Sequence, residues 1–277
     1  MSVNIPDSDI SRINAAAGIN QVQVDNDTFY VIQRALYFAE KSGGAFDPTV
    51  GPLVSLWNIG ADVKRIPSED EINNVLPLVN FRYVELDLQT NSVYLTKIGM
   101  ALDLGAIAKG YAADEAAKIL RQTKIKSAKI DLGGDVYMYG KKRDKSPWRI
   151  GLQNPVGDRG SIIGVLRTGE CTIVTSGVYE RYFEIDENRY HHIFSPFNGY
   201  PVNNGLLSVT IVSDNSMDSD ALSTSVFVLG YEKGLALVKT IPGAEAVFIF
   251  DDKSLKITSG LDFILTDNSY QTAATKE

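Results

Sequence analysis

The chain has 277 residues, 44% of them hydrophobic, and 27 basic against 34 acidic side chains give it a net charge of −7. That length suits one large domain or two intimate ones with a real core, and the acidic balance argues against a nucleic-acid footprint. One cysteine, Cys171, and two histidines, His191 and His192, exclude a disulfide framework, a thiolate cluster and a His-rich zinc site, leaving a hard cation on oxygen ligands, Mg2+ before Ca2+.

In chain order, helical period first appears in Phe29, Ile32, Ala35, Leu36 and Ala39, between a start at Asp27-Thr28 and a stop at Gly43-Gly44. The stretch Ser42 to Leu53 that follows is too punctuated by glycine and proline for a regular element, and it ends on Leu56-Trp57. It reads either as a loop after a helix cap or as an aromatic, an acid and bare backbone able to wrap a flat heterocycle. Ser68-Glu69-Asp70-Glu71 is a capping box that opens a short helix through Ile72, Val75 and Leu76. Strands over Tyr83–Leu88 and Ser92–Thr96 turn about Asn91. A third helix follows Gly105, with Ile107, Tyr111, Ala112, Ala116, Ile119 and Leu120 expected on its inner face.

Alternating β-branched runs come next: Ala128–Leu132, Val136–Tyr139, Trp148–Gln153, Ile162–Arg167 and Cys171–Ser176. Tyr182–Ile185 and Tyr190–Phe194 form a hairpin about Glu187-Asn188, and Leu207–Val212 follows. Helices over Ser219–Leu229 and Tyr231–Ile241, strands over Ala246–Phe250 and Lys256–Thr258, and a frayed end over Ser269–Glu277 complete the series. Strands outnumber helices about two to one and short turns join them, which reads as α+β with largely antiparallel sheets. No repeat or linker divides the chain, so residues 1–277 are expected to form a single domain, or two intimate subdomains. No stretch approaches the ~20 apolar residues of a membrane span, and no signal-peptide pattern opens the chain.

Four clusters carry candidate chemistry. The Ser42–Leu53 stretch is one. In the second, Asp103 to Lys109, an acid, a small-residue turn and a lysine meet a helix start, whose first N–H groups point at any ligand. This suits a phosphorylated compound beside a cation, and equally a helix capped by Asp103 with a solvated Lys109. The third, Ile130-Asp131-Leu132-Gly133-Gly134-Asp135, is a strand that breaks into paired glycines, as a bulge, a tight corner or a ligand contact would.

The fourth joins Tyr190–Gly199 to Met217–Thr224. Asp220 and Thr224, four apart, share one helix face and can reach one small cation, or serve as a cap and a back-bonded threonine. His192, in a polar turn, is a candidate general base or a structural imidazole. Cys171 reads as a small apolar filler in a strand before it reads as a nucleophile. With no Walker loop and no G-x-G-x-x-G in the chain, these residues alone point to a Mg2+-assisted enzyme acting on a phosphoryl compound.

The same clusters, in this order, resemble the ApbE family of FAD:protein FMN transferases. Asp7–Asn14 is similar to D-S-x-[IL]-S-R-[IL]-N, and Gly44–Leu53 with Leu56-Trp57 to F-D-P-T-V-G-P-L…L-W. Asp103–Asp114 resembles D-L-G-[AG]-I-A-K-G-Y-A-x-D, and Leu132–Asp135 resembles L-G-G-[DN]. Thr175–Arg181 is similar to T-S-G-x-Y-x-R, His192–Gly199 to H-I-x-D-P-x-T-G, and Asp220–Thr224 to D-A-x-[SD]-T.

The resemblance implies transfer of FMN from FAD, with Mg2+, onto a serine or threonine hydroxyl of an acceptor flavoprotein bearing a D-x-x-[SG]-[AT]-[ST] motif, releasing AMP. It places the metal on the Ala106 carbonyl with Asp220 and Thr224. FAD falls on Ala45, Phe46, Asp47, Asp103, Lys109 and Ile193, and activation of the acceptor hydroxyl on His192. Ser195 and Asn198 depart from the family's aspartate and threonine, and Asn4 stands where many relatives carry an aromatic ring. The last departure keeps open an FAD pyrophosphatase yielding FMN and AMP, beside a non-catalytic flavin-binding protein. Relatives are commonly exported or lipid-anchored, so an extracytoplasmic place at the cell envelope is expected, and the usual leader and first strand are read as missing.

Overall fold

The structure, a computed structural model, describes residues 1–61 and 64–273. Helix α1 (Asp9–Ala15) opens on Ser8, whose hydroxyl accepts the Ser11 N–H. A short β1 (Val22–Gln23) precedes α2 (Asn26–Lys41), which buries Phe29, Ile32, Ala35 and Ala39 as its periodicity predicts.

Helix α3 (Gly51–Trp57) stands where the sequence reading has no regular element. Pro52 lies in its first turn, where a helix leaves N–H groups unpaired and a missing one costs nothing. Gly51 is there for contact: a Cβ on it would come within 2.6 Å of the Ala101 carbonyl oxygen. The glycine and proline therefore start this helix and do not break it. Helix α4 (Glu69–Val75) carries both arms of the Ser68–Glu71 capping box. Strands β2 (Val84–Asp87) and β3 (Ser92–Leu95) pair about Asn91, which takes a left-handed φ of 51°.

Next come α5 (Ala108–Arg121), β4 (Ser127–Leu132), β5 (Asp135–Gly140), β6 (Trp148–Gln153), β7 (Ile162–Thr168) and β8 (Cys171–Gly177). The hairpin β9 (Tyr182–Ile185) and β10 (Asn188–His191) turns on Asp186 and Glu187, both at positive φ. Its second strand thus starts two residues before the expected Tyr190 and stops short of Phe194. The remaining elements are β11 (Leu206–Ser213), α6 (Ser216–Leu229), α7 (Tyr231–Lys239), β12 (Glu245–Phe250), β13 (Ser254–Ile257), β14 (Asp262–Leu265) and β15 (Gln271–Thr272). The expected frayed end is ordered through β15, which pairs with β13 beside a buried Tyr270; residues 274–277 of that reading lie outside the described residues. Among the described residues every pair of named strands is antiparallel except β13–β15, as an α+β fold with largely antiparallel sheets requires.

The chain divides into two compact units, each assembled from separate stretches. The first comprises Met1–Ala108 and Glu180–Val202. Its sheets are β1-β3-β2 and the β9–β10 hairpin, and one of its cores gathers Leu53, Trp57, Ile72, Val79, Phe183 and Phe194.

The second unit comprises Lys109–Tyr179 and the described residues from Asn203 on. Its seven-stranded sheet runs β15-β13-β12-β11-β8-β5-β4. One face packs on the three-stranded sheet β14-β7-β6 through Val136, Met138, Ile150, Leu166, Ile173 and Val247. The other face carries helices, and strand alternation sorts β5 between them: Val136 and Met138 face the small sheet, whereas Tyr137 packs on Ala113 and Ala117 of α5. The buried face of α5 is therefore Gly110, Tyr111, Ala113 and Ala117, while Ala112 and Ile119 of the expected face are exposed.

Candidate active site

The sequence-derived site residues fall on both units. In the first, the loop after α2 is held by the Ser42 hydroxyl, which accepts the Phe46 N–H at 3.0 Å. Ala45 and Phe46 are buried, so neither offers an open side-chain face. Asp47 points inward as well. Its Oδ1 accepts the Thr49 N–H at 2.8 Å and the Thr49 hydroxyl at 2.6 Å, and its Oδ2 accepts the Phe81 N–H at 2.9 Å. Burial raises its pKa, against the pull of those donors and of Arg82. The carboxylate expected to touch a ligand thus shapes the loop, and the open side of that loop is backbone: a Cβ on Gly43 would meet nothing within 4 Å.

Asp103 donates its N–H to the Pro48 carbonyl at 2.8 Å and accepts the Gly105 N–H on Oδ1 at 2.7 Å. It shapes the Gly105–Ile107 turn, which contains Ala106, and α5 begins only after that turn.

The turn after β10 hangs from Trp57, a residue the sequence reading did not assign to the site. Its indole N–H donates to the Gly199 carbonyl at 2.8 Å, and its ring stacks on Tyr190 and Phe194. The two departures in this turn both take part in its local hydrogen bonds. The Ser195 hydroxyl accepts the Phe197 N–H, and Asn198 Oδ1 accepts the Tyr200 N–H.

The two histidines differ in their ring partners. His191 is buried, with Nε2 donating to the Val202 carbonyl at 2.8 Å and Nδ1 accepting the N–H of the buried Ile193 at 3.2 Å. Burial holds its pKa below the ordinary value, so it is a neutral structural ring. His192 is half-buried, and its Nδ1 lies 3.2 Å from the Arg181 carbonyl, which can only accept. A neutral His192 is therefore the Nδ1–H tautomer, with its basic lone pair on Nε2.

In the second unit, the start of α5 meets α6. Asp114 accepts the Ser216 and Met217 N–H groups at 2.9 and 2.8 Å, capping α6. Gly110 permits the close approach, since a Cβ on it would lie 2.2 Å from the Ser216 carbonyl oxygen. Asp220, buried on α6, accepts the Gly110 N–H on Oδ2 at 3.0 Å. Lys109 Nζ lies 3.1 Å from Asp220 Oδ1 and 2.7 Å from Oδ2 of Asp135, the first residue of β5. Burial raises the Asp220 pKa although Lys109 and Gly110 oppose it. Burial and then the Asp220 charge push Asp135 up to about 6. For Lys109 burial works the other way, but Asp220 and Asp135 outweigh it and hold the ammonium charged.

Thr224 is one turn beyond Asp220, and its hydroxyl pairs with Ser176 of β8 at 3.2 Å. Among the described residues no group of three or more His, Cys, Asp or Glu forms a metal cluster. The donors nevertheless fit a magnesium ion. Asp220 and Thr224 offer hard oxygens on one face of α6, Mg2+ fills most of its positions with water and phosphate oxygens, and Asp135 Oδ2, a buried oxygen whose one partner among the described residues is Lys109 Nζ, can hold that ammonium when an ion takes Asp220. The sequence reading gave Asp135 no role of its own, because the two glycines before it suit a corner as well as a ligand contact. They are indeed a two-residue hairpin turn, with φ of 70° and 101°.

A model of the ApbE family matches residues 1–248. An FAD:protein FMN transferase of Treponema pallidum is 42% identical over 94% of this chain and 76% of its own length. One of Klebsiella pneumoniae is 41% identical over 98% of this chain and 84% of its own. Among solved structures, the ApbE protein of Thermotoga maritima superposes with a TM-score of 0.86 at 36% identity, covering 94% of this chain and 84% of that one. The flavin transferase ApbE of Vibrio cholerae gives 0.79 at 29% identity, covering 98% and 84%.

Proposed function

We infer that this chain, which belongs to the ApbE family, is an FAD:protein FMN transferase that works with Mg2+ and releases AMP. The observation that carries the reading is His192, whose bond to the Arg181 carbonyl puts the basic lone pair on Nε2. A protein that only stored flavin would not need an oriented base.

In the reaction, Nε2 takes the proton of an acceptor serine or threonine hydroxyl while that oxygen bonds to the FMN phosphorus. The bond from this phosphorus to the bridging oxygen breaks, AMP leaves with the electron pair, and the proton passes on to solvent. Asp220 and Thr224, with the Ala106 carbonyl that the family resemblance implies, would hold the magnesium ion. When bound, the ion supplies positive charge against the pyrophosphate and the departing AMP. Lys109 and the α5 N-terminus offer further positive potential to the phosphates. Asp103 and the Ala45-Phe46-Asp47 loop shape backbone against FAD, and Ile193 lies beside the base. By the same family likeness the acceptor is a flavoprotein with a D-x-x-[SG]-[AT]-[ST] motif, and the site of action is extracytoplasmic, at the cell envelope.

One observation favours a second outcome. Asn4 lies exposed in the N-terminal turn and offers no ring to stack on a flavin, so water can compete with the protein hydroxyl. The test is to incubate the protein with FAD, Mg2+ and a carrier bearing the acceptor motif, then look for flavin fluorescence on the carrier after denaturing electrophoresis. A fluorescent carrier, lost with EDTA and lost in His192→Ala while FAD affinity persists, is the expected result. A dark carrier with FMN and AMP in solution would make the protein a pyrophosphatase, and intact FAD would leave a binding protein.

A further inference from the structure

Lys109 stands between two carboxylates that are not equivalent. Asp220 is fixed: it is buried on α6, and its Oδ2 already accepts the Gly110 N–H at 3.0 Å. It is also the carboxylate that the cation reading requires. The Lys109 ammonium occupies both of its oxygens, at 3.1 and 3.3 Å. A divalent cation on Asp220 and an ammonium at hydrogen-bond distance from the same oxygens repel each other strongly in a half-buried site. The lysine therefore has to yield, and its half-exposed head on a four-carbon stem is able to swing.

Where it goes is set by β5. Asp135 follows directly on the Gly133-Gly134 turn, is itself buried, and shares the helix-facing side of β5 with Tyr137. Its Oδ2 is the oxygen nearest to Lys109 Nζ, at 2.7 Å, and has no other partner among the described residues, so it already shares the ammonium with Asp220. A buried carboxylate oxygen in that condition can take the whole of a donor that gives up its second partner.

We propose that Asp135 is a positioning residue that takes over the Lys109 ammonium when a divalent cation claims Asp220. The lysine is then a resident counter-charge that keeps the buried acids compatible with folding before the cation arrives. Asp135 is what prevents it from blocking the cation. This rests on the assignment of Asp220 to a divalent cation.

The test uses Mn2+ as probe, titrated into the full-length protein without FAD and followed by the loss of free-ion EPR signal. Asp135→Asn should weaken Mn2+ binding on the order of tenfold, because Lys109 is left with Asp220 alone. Adding Lys109→Met to that variant should restore binding, a rescue that a merely structural role for Asp135 would not show. Equal affinity in wild type and Asp135→Asn overturns the proposal and leaves the cation assignment standing. Weakened binding that the double variant does not restore also overturns it, making Asp135 a ligand of the ion. No uptake by wild type overturns the cation assignment and this proposal with it. Should Asp135→Asn fail to fold, Asp135→Ser carries the same test: weakened Mn2+ binding that Lys109→Met restores is expected, and an unchanged affinity overturns the proposal.

Discussion

Burial holds the Asp47 carboxyl above its ordinary 3.8 even though Thr49, Phe81 and Arg82 all favour the anion. The folded state therefore binds this proton more tightly than the unfolded chain does. The stabilisation is complete below the unfolded value and is lost as pH rises through the folded one. Asp47→Asn removes the titration. The stability advantage of wild type over the variant should be larger at about pH 3.5 than at about pH 6.5, read as the difference in urea midpoints. An advantage that grows with pH would mean that the three donors, not burial, dominate. At this scale the sequence told which residue types meet, but not which way they point. Asp47 was legible as part of a functional loop and invisible as its internal brace. Lys109 and Asp220 were legible because each sits near a helix start with charge or spacing suited to a ligand. Asp135 was legible only as the last residue of a paired-glycine turn, because its partner and burial depend on a register that no local pattern encodes.

Among the elements, the α5–α6 contact decides how the Lys109–Asp220 pair is held. Gly110 would gain helix propensity as alanine, about 1 kcal/mol in isolation. Its Cβ, however, would stand 2.2 Å from the Ser216 carbonyl oxygen, a backbone atom at the start of α6. Overpacking of that kind costs about 1–3 kcal/mol and outweighs the propensity gain. Gly110→Ala should therefore lower the thermal midpoint and weaken Mn2+ binding together, as the Asp114 cap and the Gly110–Asp220 bond are pried apart. A rise in midpoint would show that α6 can shift at no cost. The same contact explains why the inner face of α5 was misread. Gly110 lies against the start of α6 and Ala113 and Ala117 lie against Tyr137 of β5, so close neighbours bury the small residues of α5 and leave the larger Ile119 to solvent. Helices α2 and α4 were legible from period and capping box. Helix α3 was not, because glycine and proline have opposite meanings at a helix start and in its interior.

For the molecule as a whole, the chain leaves the second unit at Tyr179 and re-enters it at Asn203, and nothing in composition marks either point. The strands on either side make the excursion compatible with an intact sheet. Gly177 of β8 faces Ser208 of β11, and the Val178 N–H donates to the Leu207 carbonyl at 3.0 Å, so the chain departs and returns at neighbouring positions. The core between the seven- and three-stranded sheets draws only on residues of this unit. Closing so short a gap with a flexible linker adds little loop entropy. A chain that starts at Lys109 and carries a short Gly-Ser linker in place of Glu180–Val202 should accordingly unfold in one cooperative transition and keep its β-sheet circular dichroism. It should show no FMN transfer, since His192 leaves with the excised segment. Dispersed amide resonances and a sigmoidal melt are the expected readouts. A chain without either would mean that the sheet draws its stability from residues 1–108 or 180–202, and that the seven strands and their helices are not sufficient to fold.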